Sequence, residues 1–214
     1  HQLGLNPAAR VLTGTTDSTA AALASGICSP GQAVTSLGST LVMKIVAENP
    51  VFSSRHGVYS HRLGDLWLVG GASNSGGAVL ERFFTRQQMV SMEPAIEPQH
   101  PTGLDYYPLL RPGERFPVND PDYMPRLEPR PEDSTRFFQG MLEGMAHIEQ
   151  QGYRLLRQLG APAPSQVFSI GGGSLNDAWL RIRQGLLGVP VVKSTIQQAA
   201  YGAALLAAQK LSHW

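Results

Sequence analysis

Two segments of the chain place chemically useful residues where a strand is predicted to run into a helix. Residues 11–22 (VLTGTTDSTAAA) carry a single carboxylate, Asp17, between a short apolar stretch and a run of alanines. Residues 167–176 (VFSIGGGSLN) place three glycines directly after an apolar stretch. Ligands in open α/β sheets usually bind at the carboxyl ends of the strands. The two junctions together suggest a nucleotide site with a general base.

Asp17 has two interpretations. As a general base it would take a proton from a substrate hydroxyl. As a helix cap it would only bind backbone N–H groups, because Asp is a favoured N-cap residue. A helix is predicted from Ser18 to Ser25 and stopped by Gly26, with Ser18 as another plausible cap. Taken alone, the position of Asp17 favours the capping role.

Gly38, Ser39 and Thr40 form a short turn between two predicted strands. Glycine lets a backbone approach a ligand closely, and this turn can direct N–H groups and two hydroxyls at a phosphate. The same three residues are equally typical of an ordinary hairpin turn, which is the more common case.

Gly171, Gly172 and Gly173 lie between a predicted strand and a predicted helix, where anions and nucleotides often bind. Asn176 adds an amide that can pair with a purine edge. Neither the G-x-G-x-x-G spacing of dinucleotide binders nor the Walker spacing is present. These glycines would also serve close packing of strand on helix.

The apolar patterns predict one α/β domain with a mixed sheet flanked by helices. Strands are predicted at 8–14, 33–37, 41–46, 58–63, 66–69, 166–170 and 189–192, and helices at 18–25, 78–84, 134–159, 177–187 and 197–210. The glycines of residues 70–77 and Gly202 are predicted to let helices pack tightly rather than to bind a ligand.

Residues 91–135 contain ten of the 16 prolines, together with Tyr106, Tyr107, Phe116 and Tyr123. Proline at this density excludes a regular helix or a central strand. The segment is long for a structureless loop. We therefore predict an ordered insertion that its aromatic residues anchor and that folds over a site.

The composition limits the classes of protein and site. A formal net charge of +1 without basic clusters gives no support for nucleic-acid binding. The single cysteine, Cys28, rules out an intrachain disulfide, and the six histidines lack metal-ligand spacing. No apolar run reaches membrane-span length, and residues 1–10 do not resemble a signal peptide. We expect a soluble, cytoplasmic protein, or a plastid one if the source is a plant.

Five motifs in order resemble the carboxy-terminal domain of FGGY-type carbohydrate kinases, and they cover nearly the whole chain. They are GTTDSTAAALASG, SLGSTLVMK, VGGASNSGGAVL, IGGGSLNDAW and YGAALLAA. Within that family the chain is most similar to the D-ribulose kinases of cyanobacteria and plants, once described as xylulokinase-like. The combined order and spacing carry the resemblance, whereas each motif alone is weak.

The resemblance implies an actin-like, ribonuclease-H-like ATPase fold that binds ATP and Mg²⁺ between two domains. It makes Asp17 the catalytic base and a contact to Mg²⁺ through water. The remaining implied site residues are Gly14, Thr15 and Thr16 beside the γ-phosphate, Gly38, Ser39 and Thr40 in a second phosphate loop, and Gly171, Gly172, Gly173 and Asn176 around the adenosine.

Two departures from the family pattern bear on function. The Asp-x-Gly-Thr phosphate loop of the family's amino-terminal domain does not occur here, so we expect residues 1–214 to form only the ATP-binding half of the cleft. Sequence upstream of His1 is then expected to supply the sugar-binding half, and the fragment alone is expected to be inactive. Gln197 and Gln198 stand where the family often has Glu, with an expected effect on packing more than on chemistry.

The leading hypothesis is phosphorylation of a ketopentose, D-ribulose to D-ribulose 5-phosphate. One alternative is a kinase for D-xylulose or another polyol. A second alternative is a non-catalytic nucleotide-binding module of the same actin-like fold.

Overall fold

The alternating apolar residues of the first third form two β-hairpins that lie side by side in one sheet and continue into a parallel unit. The computed structural model describes residues 12–211. Within that range the strands are β1 (Gln32–Leu37), β2 (Leu41–Ala47), β3 (Tyr59–Leu63), β4 (Leu66–Ala72), β5 (Gln166–Ile170) and β6 (Val191–Lys193). The helices there are α1 (Asp17–Ala24), α2 (Gly77–Phe83), α3 (Arg86–Met92), α4 (Ser134–Gln158), α5 (Asp177–Leu187) and α6 (Ala199–Leu211).

The strands form one mixed sheet in the order β3-β4-β2-β1-β5-β6. The β1–β2, β2–β4 and β3–β4 pairs are antiparallel, whereas β1–β5 and β5–β6 are parallel. This architecture confirms the predicted α/β fold with a mixed sheet. Because β1 and β5 are parallel neighbours with Ser36 opposite Ile170, their carboxyl ends lie at the same edge of the sheet.

Helices and the insertion cover both faces of the sheet. Side chains alternate between the faces along each strand. The residues of one face that enter the main core include Leu37, Met43, Ile45 and Val69, which join α4, α5 and the insertion. The residues of the other face include Val34, Val46, Leu68 and Ile170, which pack with Ala22 of α1.

Helix α6 packs on α1 through backbone contact. A Cβ on Gly202 would overlap the carbonyl of Ala20. This confirms the prediction that Gly202 allows close helix packing. Gly76 and Gly77 differ from that prediction: they approach the backbone of residues 38–40, which form a turn and not a helix.

A fully buried polar network ties α4 and α5 to the ends of β1 and β5. Arg183 Nε donates to Glu149 Oε2 over 2.6 Å, and Arg183 Nη1 donates to Ser169 Oγ over 2.6 Å. Thr35 Oγ1 donates to the other oxygen of Glu149 over 2.5 Å. The buried charges are thus paired and hydrogen-bonded, as burial requires.

The proline-rich segment is ordered, and its aromatic residues anchor it. Tyr106, Tyr107 and Phe116 are buried in the main core. Phe116 lies against Gly71 of β4 and Gly152 of α4, where any added Cβ would strike its ring. The segment therefore covers a face of the sheet and α4, as well as contributing Glu93 to the cavity described below.

The amino-terminal junction differs in part from the sequence prediction. Of the strand predicted at 8–14, residues 8–11 lie outside the described residues, and residues 12–14 are not in a strand. Helix α1 begins at Asp17 and its N-cap is Thr16, so neither Ser18 nor Asp17 is the cap. Among residues 12–211, we find no helix with the length and apolar character needed to cross a membrane.

Candidate functional site

Two of the sequence-predicted loops line one cavity of about 360 Å³ at the edge where β1 and β5 end. Gly38 and Ser39 contribute from the 38–40 turn, and Gly172, Gly173 and Asn176 from the 171–176 loop. The parallel pairing of β1 with β5 brings these segments together although more than a hundred residues separate them. Thr40, Gly171 and the segment 14–17 are not among the lining residues.

Backbone hydrogen bonds from the first residues of α2 hold the 38–40 turn in place. Gly77 N donates to Gly38 O over 2.8 Å, and Ala78 N donates to Ser39 O over 3.2 Å. A Cβ on Gly76 would stand 2.6 Å from the Cα of Thr40, so only glycine permits this approach. The carbonyl groups of Gly38 and Ser39 are thereby bound within the protein, while Ser39 stays exposed.

The three glycines of the 171–176 loop have different surroundings. Gly171 has a φ of 85°, and its N–H donates to Gln197 Oε1 over 2.9 Å, so this amide is already bound within the protein. Gly172 faces open space, because a Cβ there would meet no atom within 4 Å. Gly173 packs against the ring of Trp179. The two roles considered for these glycines are thus divided between residues. Gly172 is accessible to a ligand, and Gly173 allows close packing.

Asn176 is the N-cap of α5. Its Oδ1 accepts from Trp179 N over 2.7 Å, which leaves the amide nitrogen as the group that can donate to a ligand in the cavity. Gln197 supports the same loop, since its Nε2 donates to Ser174 Oγ over 3.2 Å. Gln197 was expected to affect packing more than chemistry, and these contacts with Gly171 and Ser174 show that it packs against this loop.

The rest of the cavity wall is largely apolar with a few charged residues, as is usual for small-molecule sites. The apolar lining residues are Leu37, Leu80, Met89, Val90, Phe138, Leu142, Leu175 and Trp179, and the charged ones are Glu81, Arg86 and Glu93. The α3 part of this wall was missed by the sequence analysis. Its signal was the capping box formed by Thr85 and Gln88, a T-x-x-Q pattern that marks a helix start.

Asp17 is the first residue of α1, and its side chain is exposed. Its Oδ1 accepts from the N–H of Ser18 over 2.6 Å. The capping bond comes instead from Thr16, whose Oγ1 accepts from Thr19 N over 3.4 Å. The carboxylate therefore stands at the positive end of the helix and is accessible to a substrate. Gly14 and Thr15 are exposed as well.

Lys44 of β2 contacts the first turn of α1, and it was also missed by the sequence analysis. Its side chain is buried, and its Nζ donates to Ser18 Oγ over 3.0 Å and to Thr19 Oγ1 over 3.4 Å. Burial lowers the pKa of Lys44 to about 8, against the opposing effect of the Asp17 charge. A lysine inside the apolar stretch LVMKIV was the available signal, since lysine is rarely buried unless paired.

The residues present fit a nucleotide better than a resident metal ion. Open space at Gly172 beside an apolar wall suits a ligand with a flat base. Within residues 12–211 no group of three or more His, Cys, Asp or Glu side chains is placed to hold a metal. Mg²⁺ in phosphoryl-transfer sites commonly uses one or two carboxylates plus phosphate oxygens and water. Asp17 can supply one such contact to an ion that arrives with the nucleotide.

The chain is similar to sugar kinases in sequence and in structure. Over 217 residues the chain is 29% identical to a xylulose kinase of Bacillus subtilis, in a match that covers 96% of this chain and 43% of the relative. A xylulose kinase of Staphylococcus xylosus is 24% identical over 222 residues, with 97% of this chain and 45% of the relative covered. The chain thus spans less than half the length of the curated relatives it matches.

Solved structures agree on the fold. The ligand-bound xylulose kinase of Lactobacillus acidophilus superposes with a TM-score of 0.84 at 17% identity, over 100% of this chain and 45% of that one. The Plasmodium falciparum glycerol kinase with ADP gives a TM-score of 0.75 at 17% identity, over 92% of this chain and 42% of that one. The fold is that of these kinases, the actin-like ATPase fold implied by the motifs.

The family model that matches residues 33–211 is that of the carboxy-terminal domain of the FGGY carbohydrate kinases. The match includes both loops of the cavity and all six strands of the described sheet except Gln32, the first residue of β1. The chain belongs to the FGGY family of carbohydrate kinases.

Proposed function

We propose that this chain is the ATP-binding half of a kinase that phosphorylates a ketopentose, D-ribulose to D-ribulose 5-phosphate. The observation that carries the proposal is the single cavity lined by both the 38–40 turn and the 171–176 loop. The family membership and the exposed carboxylate of Asp17 support it further. A non-catalytic nucleotide sensor would have no use for such a base.

In this mechanism the nucleotide would supply the γ-phosphoryl group, and Mg²⁺ bound with it, in contact with Asp17 through water, would neutralise charge. Phosphoryl transfer depends mainly on positioning and on electrostatic stabilisation. The cavity walls and the amide of Asn176 hold the adenosine, while Gly38, Ser39 and Thr40 orient the phosphates. The carboxylate of Asp17 accepts the proton of the attacking sugar hydroxyl, a role that commonly contributes about 10²–10⁴-fold to the rate.

The sugar-binding wall of the cleft is proposed to come from an amino-terminal domain. Matches that cover 43% and 45% of the curated relatives support this arrangement. Residues 1–214 would then form one carboxy-terminal domain, with the proline-rich insertion at 91–135 packed on its sheet. The isolated chain is expected to bind nucleotide weakly and to turn over little or no sugar.

D-Xylulose is the second candidate substrate. The curated relatives named above are xylulose kinases, and this observation favours that sugar as much as the motifs favour D-ribulose. The residues that would distinguish the two sugars are proposed to lie mainly in the amino-terminal domain. Only measured turnover can therefore separate the two substrates.

The test uses the full-length gene product that contains this chain. ADP formation is measured with D-ribulose, D-xylulose and glycerol. We expect sugar-dependent ADP formation that is fastest with D-ribulose. Fastest turnover of D-xylulose would overturn the substrate assignment, and ATP binding without ADP formation for any sugar would favour the non-catalytic alternative.

The role of Asp17 is tested in the same assay by Asp17→Asn. We expect kcat to fall by about 10²–10⁴-fold while nucleotide binding stays nearly unchanged, because Asn cannot accept the proton. Asp65→Asn is the matched control, since Asp65 is an exposed carboxylate in the β3–β4 turn, outside the described site. Undiminished kcat in Asp17→Asn would exclude Asp17 as the base.

A further inference from the structure

Lys44 is a buried cation that the mechanism above does not use. It lies on the face of the sheet that packs against α1, opposite Val34 on β1 and Gly70 on β4. Its relative exposure is 2%. Burying an ammonium group is costly unless hydrogen bonds compensate it. The free-energy cost of burying Lys44 indicates that this residue has a functional role.

The hydrogen bonds of Lys44 go to the first turn of α1. Its Nζ donates to Ser18 Oγ over 3.0 Å and to Thr19 Oγ1 over 3.4 Å. Thr16, the N-cap of the same turn, donates from its Oγ1 to Thr19 Oγ1 over 3.0 Å. The ammonium group therefore contacts both residues that follow Asp17 and, through Thr19, the cap that precedes it.

The titratable groups that interact with Lys44 are Asp17 on α1 and His61 on β3. The charge of Asp17 raises the pKa of Lys44, and Lys44 in turn contributes to lowering the pKa of His61, whose largest cause is burial. The hydroxyls of Ser18 and Thr19 accept the hydrogen bonds of the ammonium, while the Asp17 carboxylate remains exposed. Lys44 thus steadies the turn without covering the carboxylate.

Strand β2 connects this contact to the phosphate-binding region. The 38–40 turn leads directly into Leu41, the first residue of β2, and Lys44 is the fourth residue of that strand. Any shift of α1 relative to Lys44 is therefore also a shift of Asp17 relative to the turn. Misplacing a catalytic group by about 1 Å can cost about 10²-fold in rate.

We propose that Lys44 is a positioning residue that holds the first turn of α1 from within the sheet and so fixes Asp17 relative to the 38–40 turn. The inference rests on the proposed kinase function, since it assigns Lys44 a role through Asp17. Loss of Lys44 should lower kcat and leave nucleotide affinity unchanged, because Lys44 does not line the cavity.

The first test is Lys44→Met in the full-length gene product that contains this chain. We expect kcat to fall by about 10–100-fold, with KM for ATP within about twofold of wild type. Lys193→Met is the matched control, since Lys193 is an exposed lysine of β6, and it should leave both values unchanged. Wild-type kcat in Lys44→Met, or an equal loss in both variants, would overturn the proposal.

The second test is a double-mutant cycle with Ser18→Ala, which removes the shorter of the two Lys44 hydrogen bonds. If Lys44 acts through Ser18, the double variant should lose little more kcat than Lys44→Met alone. Fully additive losses would contradict action through that hydrogen bond. If Lys44→Met does not fold, Ser18→Ala alone should lower kcat with KM for ATP unchanged, and undiminished kcat would overturn the proposal.

Hydrogen exchange separates this inference from the proposed function. The amides of Thr19 and Ala20 both donate to Thr16 O in the first turn of α1. In Lys44→Met they should exchange at least about tenfold faster than in wild type, with the amides of α5 unchanged. Wild type without sugar-dependent ADP formation would refute the kinase proposal alone, whereas unchanged exchange in Lys44→Met would refute the role of Lys44.

Discussion

At the residue scale, Lys44 makes the stability of the protein depend on pH with a definite sign. Burial lowers its pKa from 10.5 to about 8. Between these values the unfolded chain carries a proton on this lysine that the folded protein has lost, so the free energy of unfolding rises with pH. Below about pH 8 the lysine is charged in both states, and its contribution is constant.

We therefore expect the free energy of unfolding of wild type, relative to Lys44→Met, to rise by about 2–3 kcal/mol between pH 7.5 and 10, because one pKa unit corresponds to about 1.4 kcal/mol. Denaturant titrations at several pH values measure this difference. Subtracting Lys44→Met removes the common contribution of buried tyrosines such as Tyr153, whose pKa burial raises. A difference that does not vary with pH would show that folding does not lower the pKa of Lys44.

Gly172 is the residue whose substitution should reach a ligand directly. It lines the cavity, a Cβ there meets no atom within 4 Å, and its φ lies outside the left-handed region. Gly172→Leu should therefore fold normally and fill part of the cavity. We expect ATP affinity to fall by at least about tenfold, which is about 1.4 kcal/mol, as measured by titration calorimetry.

Gly185→Leu provides the control, since a Cβ on Gly185 also meets open space but this residue does not line the cavity. Its ATP affinity should match that of wild type. Equal affinity of Gly172→Leu and wild type would place the nucleotide elsewhere.

At the element scale, the proline-rich segment supports the site through one buried carboxylate. Glu114 is buried; its Oε2 accepts from Ser73 Oγ over 2.6 Å, and its Oε1 accepts from Asn74 N over 2.6 Å. Ser75 follows these residues, and its carbonyl accepts from Leu41 N directly after the 38–40 turn. The insertion thereby fixes the segment on which the turn rests.

Glu114→Gln replaces one acceptor oxygen with a donor among groups that themselves donate. We expect the free energy of unfolding to fall by about 2–4 kcal/mol, since buried donors lose their acceptor. Thermal or denaturant unfolding measures the change, and Glu132→Gln in the same segment, at an exposed position, should change it by less than about 0.5 kcal/mol. Equal stability of the two variants would show that the insertion does not need this carboxylate.

The contact between α1 and α6 depends on the absence of a side chain at Gly202. Gly202→Ala places a methyl group against the carbonyl of Ala20, and backbone cannot yield as a flexible side chain can. We expect a loss of about 1–3 kcal/mol in unfolding free energy. Gly185→Ala, in an open helical position, should instead gain about 0.5–1 kcal/mol. Denaturant titrations of both variants would contradict the described packing if they shifted in the same direction.

Elements defined by contacts between residues close in sequence were predicted better than elements defined by contacts between distant residues. The hairpins and α5 were predicted closely because alternation, turn glycines and the Asn176 cap are local signals. The packing of residues 91–135 was not, because it rests on contacts such as Glu114 with Ser73, 41 residues away. Helix α3 escaped notice because its seven residues present no long periodic pattern.

The same distinction applies to the site. The 38–40 turn and the 171–176 loop were identified from motifs, and the parallel β1–β5 pair explains why they meet. Lys44 could not be linked to Asp17 from sequence, because their relation requires the packing of α1 on the sheet. The N-cap is Thr16 and not Asp17 or Ser18, which could not be predicted because local propensity does not distinguish between neighbouring residues that can all cap a helix.

At the scale of the whole molecule, the described residues would form one wall of the proposed cleft. The loops at the ends of β1 and β5 form the proposed nucleotide site, and α1 carries the proposed base on the other face of the sheet. The two parts are connected by β2, which begins at the 38–40 turn and carries Lys44 beneath α1. Because residues 12–211 contain both loops of the proposed nucleotide site, nucleotide binding can be measured without a sugar-binding domain.

Amide hydrogen exchange of the chain with and without saturating MgATP tests this central claim most directly. We predict that the amides of Gly38, Ser39, Gly172, Gly173 and Asn176 become protected together, because these residues line the same cavity. The second cavity, lined by Arg154 and Arg157 among others, provides the internal comparison and should show no change. Protection confined to that second cavity, or to only one of the two predicted loops, would contradict the account.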